Sequence, residues 1–429
     1  MSELLLRLKK HPFITLELIA ASFFVNVLGL ASSLYIIQLL NRYISHGVDA
    51  TLYTLTIGVC IAILLEFGFR RARSSLASYL GAERNYELMT AVFGILTSGK
   101  MKFLDRIPQR LRQEIIKGTN TVEDAYKAAN ITTIFDLPFA FIFIAVMTWL
   151  SWILSIITLI FMLFIFILGM MSRQMIKNNL NKVTESSVKG NGIFGTANQA
   201  LDTVRLFDNS SLMVNEWNKN CGVFLDKRAE LFDQQELIQN ISRAAQSLMS
   251  VAIYAAGAVL TVNGDLNVGT LIGANILAMR ALAPVARFAY LGEAFTMAEQ
   301  ALERIKQFGQ IETERQGGIA LKTYQGRLQF KDVSFAHQGM SRPLFESLDL
   351  EILPCAVLVV TGENGTGKTT LCRLIAGLIE PDRGQILADG VDLRQLSSAW
   401  WRSQLAYMPQ DVQFLPASIR ENLLAAVSY

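Results

Sequence analysis

Charge is scarce in this chain of 429 residues: 17% are Asp, Glu, Lys or Arg against 52% hydrophobic, and the mean hydropathy is +0.34. An ordinary soluble domain carries about 25% charged residues. A wholly soluble enzyme is therefore excluded, and a membrane protein with room for a second domain is indicated. A surplus of one sign is missing too. With 39 Lys and Arg against 36 Asp and Glu the formal charge is +3, too little for a polyanion-binding protein, so no nucleic acid partner is expected. Cysteine is sparse: Cys60, Cys221, Cys355 and Cys372 show neither paired nor metal-ligand spacing. Free thiols are expected, in a reducing compartment or the membrane interior rather than in a disulfide scaffold. Cys355 and Cys372 read as small core residues. A cleavable signal peptide is not expected, because the first apolar stretch exceeds the roughly 7–15 residues of an h-region and no clear small-residue cleavage site precedes a soluble mature chain.

What the chain does have is long apolar runs in its first 300 or so residues. Residues 14–40, 52–69, 131–150, 152–171, 244–262 and 268–290 each approach the roughly 20 residues that cross a bilayer, which predicts an α-helical polytopic membrane domain with six transmembrane helices. Segment 70–130 carries eleven Lys and Arg and segment 172–243 nine, against Arg42 alone in the short opposite connections. Together with Arg7, Lys9 and Lys10 this places both termini and both long segments in the cytoplasm. Those segments are polar with helical patterning, so the helices are expected to continue beyond the membrane. Glu66 and Arg280 lie in or near spans and read as interfacial or inter-helix groups, and Pro284 marks a kink in the sixth helix.

Beyond about residue 310 the pattern changes to that of a soluble α/β domain. The organisation expected is 1–310 membrane domain, 311–327 linker and 328–429 nucleotide-binding domain. Residues 356–378 read AVLVVTGENGTGKTTLCRLIAGL, a β-branched strand, a glycine-rich turn and an amphipathic helix. Gly362, Glu363, Asn364, Gly365, Thr366, Gly367, Lys368 and Thr369 satisfy G-x-x-x-x-G-K-[ST], and Thr370 follows. Glycines allow the tight turn in which successive backbone N–H groups face phosphate oxygens at the positive end of a helix. Lys368 would reach the β- and γ-phosphates, and the Thr369 hydroxyl would ligate Mg²⁺.

With LIAGL at 374–378, PDRGQILADGVDL at 381–393 and LAYMPQDVQFLPASIRENL at 405–423, the chain resembles the half-transporters of the ATP-binding cassette (ABC) exporters over nearly its whole length. The resemblance implies ATP and Mg²⁺ as cofactors, a homodimer, and a role for Gln410 as the glutamine that contacts Mg²⁺ and the attacking water. It also implies an adenine contact at His337, where the family more often has a larger aromatic. A second departure is Pro354-Cys355, where the family has a glycine-containing turn. Segments 103–112 and 201–207 become candidate coupling contacts.

Within the exporters, IFDLPFAFIF at 134–143, the run 34–58 and MRALAPV at 279–285 look most like the ATPase/permease of type I protein secretion. That implies a bacterial inner-membrane protein surrounded by membrane lipid, working with a periplasmic adaptor and an outer-membrane channel on a secreted polypeptide. Lipid, drug and peptide exporters share the architecture. No peptidase-like domain stands before the first span, so leader-peptide cleavage is not expected. The 429 residues contain no LSGGQ-like segment, no apolar strand ending in Asp-Glu and no later switch histidine. The resulting expectation is a C-terminally truncated chain, shortened by frameshift, early stop or incomplete sequence, that binds ATP without hydrolysing it. A non-hydrolytic remnant is the alternative. Half of a parallel sheet would leave apolar faces and edges bare and the cytosolic half poorly stable.

Overall fold

The apolar runs build helices, as a bilayer requires of backbone with no water to bond to. The computed structural model describes residues 2–44, 47, 49–206, 210–315, 317–337 and 342–424. In chain order the helices are α1 (Ser2–Lys10), α2 (Pro12–Gln38) with a π-helical end at Leu39–Ile44, α3 (Asp49–Ser98), α4 (Met101–Leu104), α5 (Gln109–Ala125), α6 (Ala128–Asp136), α7 (Ala140–Leu150), α8 (Trp152–Gln199), α9 (Leu201–Leu206), α10 (Ser210–Val262), α11 (Val268–Tyr290) and α12 (Gly292–Phe308). Then come β1 (Leu328–Phe335), β2 (Phe345–Ile352), α13 (Lys368–Ile375), β3 (Arg383–Ala388), β4 (Val391–Asp392), α14 (Ser398–Ser403) and α15 (Ile419–Leu424).

Among the described residues six helical stretches are long and apolar enough to cross a membrane: Pro12–Ile44, Asp49–Ser98, Ala128–Leu150, Trp152–Ser172, Ser210–Val262 and Val268–Phe308. These are the six spans expected. The helices also continue past them: α3 has 50 residues, about 75 Å at 1.5 Å per residue, against a hydrocarbon core of about 30 Å.

The chain divides into two compact units, Met1–Ala91 with Gln109–Lys306, and Val92–Pro108 with Gln307–Tyr429. In the first, α2 and α11 meet along small residues. Ala21, Ser22, Gly29 and Ser33 are buried on α2, and Gly269, Gly273, Ala274, Ala278 and Ala281 on α11. A Cβ added to Gly273 would stand 2.2 Å from Ile37 Cγ1, so the contact depends on its hydrogen, as close helix packing in membranes does. α8 and α10 lie along one another in opposite directions: Asn179 Nδ2 donates to Gln234 Oε1 and Asn220 Nδ2 to Ser186 O. Met147, Leu154, Ile165, Met249, Ile253 and Leu282 fill the space between α7, α8, α10 and α11.

Both ionisable groups singled out in the spans find protein partners. Glu66 pairs with Arg70 one turn on, and Arg280 on α11 donates to Ser32 Oγ on α2 at 2.9 Å. A deeper node has no signature in the sequence. Asp136 ends α6, three residues of turn follow around Pro138, whose missing N–H breaks the ladder, and α7 resumes at Ala140. Into that break Arg73 of α3 brings its guanidinium to Asp136, and Asn26 Nδ2 of α2 donates to the same oxygen at 2.9 Å.

α1 is fixed by Arg7, which is 2% exposed. Its guanidinium donates to Gly81 O at 3.2 Å and Asn85 Oδ1 at 2.9 Å, and lies 4.4 Å from the centre of the Tyr126 ring. Burial pushes the Tyr126 phenol from 10.0 up to about 12, with Glu3 adding to the rise and Arg7 opposing it. Across that window the folded chain keeps a proton that the unfolded chain has lost, so stability falls as pH rises. Thermal melts at stepped alkaline pH should show this slope, and Tyr126→Phe, which retains the ring under Arg7, should flatten it. An unchanged slope would remove Tyr126 from the account.

The second unit holds a four-stranded sheet in the order β2-β1-β3-β4, with every pair antiparallel. Leu328, Phe330, Val333 and Phe335 of β1 pack with Leu371, Leu374, Ile386 and Trp401. The β-branched strand expected at 356–361 is not formed: these residues carry no ladder, and Val357 is 89% and Val359 76% exposed. A strand exists only with a neighbour to bond. Among the described residues none pairs with this run, so the expected parallel half of the sheet is absent from them.

Candidate nucleotide site

The turn expected to hold phosphate is built as its glycines require. Gly362, Gly365 and Gly367 have φ of 152°, 86° and 97°, a region that L side chains rarely enter. Gly367 is constrained twice, since a Cβ there would also stand 2.7 Å from Leu344 Cδ2. It forms the N-cap of α13, whose first N–H groups have no intrahelical acceptor and point out of the helix start. Lys368 folds back over the loop, with Nζ donating to Gly362 O at 2.8 Å and Glu363 O at 2.6 Å. The Thr366 hydroxyl donates to Glu363 O at 2.9 Å. An ammonium held over the loop, beside the free N–H groups of a helix N-terminus, suits a polyphosphate. Glu363, Asn364 and Thr369 are exposed around it and Thr370 is buried beneath it.

The structure brings both distant site residues to this loop. His337, just past β1, sets its ring edge-on to Phe335 with centroids 5.0 Å apart, and its Nε2 lies 3.1 Å from Thr370 Oγ1. Gln410 lines a cavity of about 500 Å³ together with Lys368, Thr369, Cys372, Tyr407 and Met408. No cluster of three or more His, Cys, Asp or Glu that could hold a metal occurs among the described residues. A Mg²⁺ ion here would come as a companion of bound phosphate, and the Thr369 hydroxyl and Gln410 amide, which line the same cavity, are the groups that would hold it.

Two cysteines depart from expectation. Cys372 is exposed on the cavity side, because the covered face of α13 is Thr370, Leu371 and Leu374. Cys355 is exposed as well and has φ of 60°. The left-handed region costs an L residue about 1 kcal/mol, so Cys355→Gly is expected to stabilise this unit by up to about that amount. A thermal midpoint that does not rise would show the strain to be relieved elsewhere.

Of the candidate coupling segments, 103–108 lies in the same unit as the loop. Lys102 Nζ donates to Asp382 Oδ1 at 2.7 Å and Asp105 pairs with Arg373 at 3.6 Å. Burial raises the Asp382 carboxyl, yet the Lys102 ammonium and the Ala336 N–H outweigh it and hold it below its usual value. Its contribution is therefore present above pH 3.8 and is lost as pH falls below that value. In segment 201–207, Leu206 is 81% exposed, while Phe207 lies outside the described residues.

Six membrane-length apolar helices and a glycine-built P-loop on a separate unit define a polytopic membrane protein with a nucleotide-type phosphate cradle. The chain belongs to the ABC transporter family: residues 15–285 match its transmembrane region, described as "ABC transporter transmembrane region", and residues 345–428 match "ABC transporter". Similar curated proteins are the leukotoxin translocation ATP-binding protein LktB of Mannheimia glucosida and those of a Pasteurella haemolytica-like species (strain 5943B) and of Bibersteinia trehalosi. Each is 25% identical over 417 residues, covering 96% of this chain and 59% of the relative. The chain thus spans 59% of the length of these relatives.

Proposed function

We propose that this chain is the ATP-binding, membrane-spanning subunit of a bacterial type I protein exporter. The observation that carries the reading is the Lys368 ammonium closed over a loop of three left-handed glycines in a chain with six membrane-length helices. The relatives' name, which speaks of leukotoxin translocation, supports a polypeptide cargo. Residues 1–310 form the membrane domain, 311–327 the linker and 328–429 the nucleotide domain. The Lys and Arg bias supports cytoplasmic termini in the inner membrane. Two copies pair as a homodimer, with a periplasmic adaptor and an outer-membrane channel completing the path.

Gly362 to Thr370 cradle the phosphates, His337 meets the adenine, and Thr369 and Gln410 hold Mg²⁺. Phosphate takes the Lys368 ammonium from the two loop carbonyls, a charge-assisted exchange worth about 1.5–3 kcal/mol. Lys368→Ala should therefore weaken Mg-ATP binding by about 10- to 100-fold, measured by titration of the purified chain in nanodiscs. Unchanged binding with retained folding would refute the site. Because these 429 residues contain no LSGGQ-like segment and no strand ending in Asp-Glu, the purified polypeptide is expected to bind ATP with hydrolysis at background. Lys368-dependent turnover without a partner would overturn that second expectation.

A further inference from the structure

Within the second unit, residues 312–314 form a strap. Lys100 N–H donates to Glu312 O at 2.9 Å and Glu314 N–H to Ser98 O at 2.7 Å, with Gly99 bridging Thr313 between them. The Lys100 ammonium adds the Glu312 carboxylate at 3.1 Å and Glu380 at 3.4 Å. A side chain at Gly99 would be crowded from both sides, because its Cβ would stand 2.6 Å from Ile95 O and 3.3 Å from Ile311 Cγ2, which leads into the strap. The strap is thereby held to the segment that carries α4.

The other side of the strap meets α14. Glu314 Oε1 accepts from Arg402 Nη2 at 2.8 Å, and Arg402 Nε is buried without a partner. Arg402 belongs to α14. The neighbouring Trp401 indole N–H donates at 2.9 Å to the carbonyl of Ile375, the last residue of α13, which begins at Lys368. Residues 405–410, which close the cavity over Lys368 and Thr369, begin two positions after α14 ends. A cavity of about 360 Å³, lined among others by Phe103, Glu314, Gly377 and Arg394, leaves the strap room to shift.

We propose that Glu314 and Arg402 are positioning residues that tie the strap, and through it residues 98–104, to the nucleotide state of the loop; this rests on the ATP site proposed above. The Glu314 and Arg402 side chains are 24% and 38% exposed, and an ion pair so open to solvent contributes little to stability. Its contribution is geometric. An ATP-driven shift of 405–410 moves α14, Arg402 carries Glu314, and the bonds at Lys100 N–H and Glu314 N–H lengthen or shorten with it. The change is one of position, with no bond made or broken covalently.

The test is hydrogen exchange of the full chain in nanodiscs with and without Mg-ATP, alongside ATP titration. In the unaltered chain, exchange at 98–104 and 312–314 should change on ATP addition. Glu314→Gln and Arg402→Gln should each keep ATP affinity within about twofold and the thermal midpoint little changed, yet lose the ATP-dependent change at 98–104. The double variant should lose no more than either single, as partners in one contact do. A response retained in both single variants overturns the proposal, as does an unaltered chain that binds ATP with no response at 98–104. An unaltered chain that does not bind ATP overturns the nucleotide-site reading itself, which the titration reports separately.

Discussion

Asp136→Ala is expected to lower the stability of the membrane unit by about 3–5 kcal/mol, the cost of leaving a buried guanidinium without its counter-charge. Arg73 is 5% exposed, its Nε has no partner even with Asp136 present, and among the described residues Asp136 is its ion-pair partner. The loss also releases Asn26, whose Nδ2 donates to the same carboxylate oxygen. Three helices, α2, α3 and α6, are joined at that one oxygen, just where Pro138 interrupts the third span. Thermal unfolding in nanodiscs checks the expectation. The pair Arg73→Met with Asp136→Leu supplies the control, because replacing both charges by apolar groups of similar volume is often neutral. A double variant near the unaltered midpoint, with the single variant far below it, assigns the effect to the orphaned charge. A single variant that melts with the unaltered chain would show that Arg73 is solvated in the membrane unit.

The same node shows where sequence reasoning stops. The six spans are legible because bilayer thickness sets their length and apolar character residue by residue. The phosphate turn is legible because Gly362, Gly365 and Gly367 report backbone conformations that glycine alone enters freely. Both are local. The Asp136 node joins residues 110 and 63 positions apart, and nothing in the pattern around Asn26 or Arg73 names its partner.

The departures in the second unit have the same origin. Residues 356–361 have the β-branched, apolar character of a strand, yet a strand is a relation between two segments, and no described segment forms a ladder with them. Cys372, on an amphipathic helix, reads as a small core residue because free Cys behaves as a small hydrophobe. The helical period fixes which residues share a face, and only tertiary packing decides which face is covered: here Thr370, Leu371 and Leu374. Glu314 and Arg402 are an ordinary acid and base 88 positions apart. Their significance comes from what their neighbours hold.

Trp401→Ala is expected to cost about 3–5 kcal/mol in the second unit, as truncation of a large buried aromatic does. The indole is 3% exposed and packs in the core with Phe330 and Leu374. Its ring meets Tyr324 edge-on at 5.2 Å, an arrangement worth roughly 0.5–1.5 kcal/mol beyond buried area. Its N–H donates to Ile375 O, one of the carbonyls that the end of α13 leaves unpaired within the helix. Trp401→Phe separates the two contributions: it retains most of the packing and removes the hydrogen bond, at a cost of about 1–3 kcal/mol. Near-ultraviolet circular dichroism during thermal unfolding reads both variants. Since α13 starts at Lys368, loosening its far end should also weaken Mg-ATP binding in Trp401→Ala more than in Trp401→Phe. Full ATP affinity in a Trp401→Ala chain with a strongly lowered midpoint would show that the loop is held by its glycines and Lys368 alone, independently of the core beneath it.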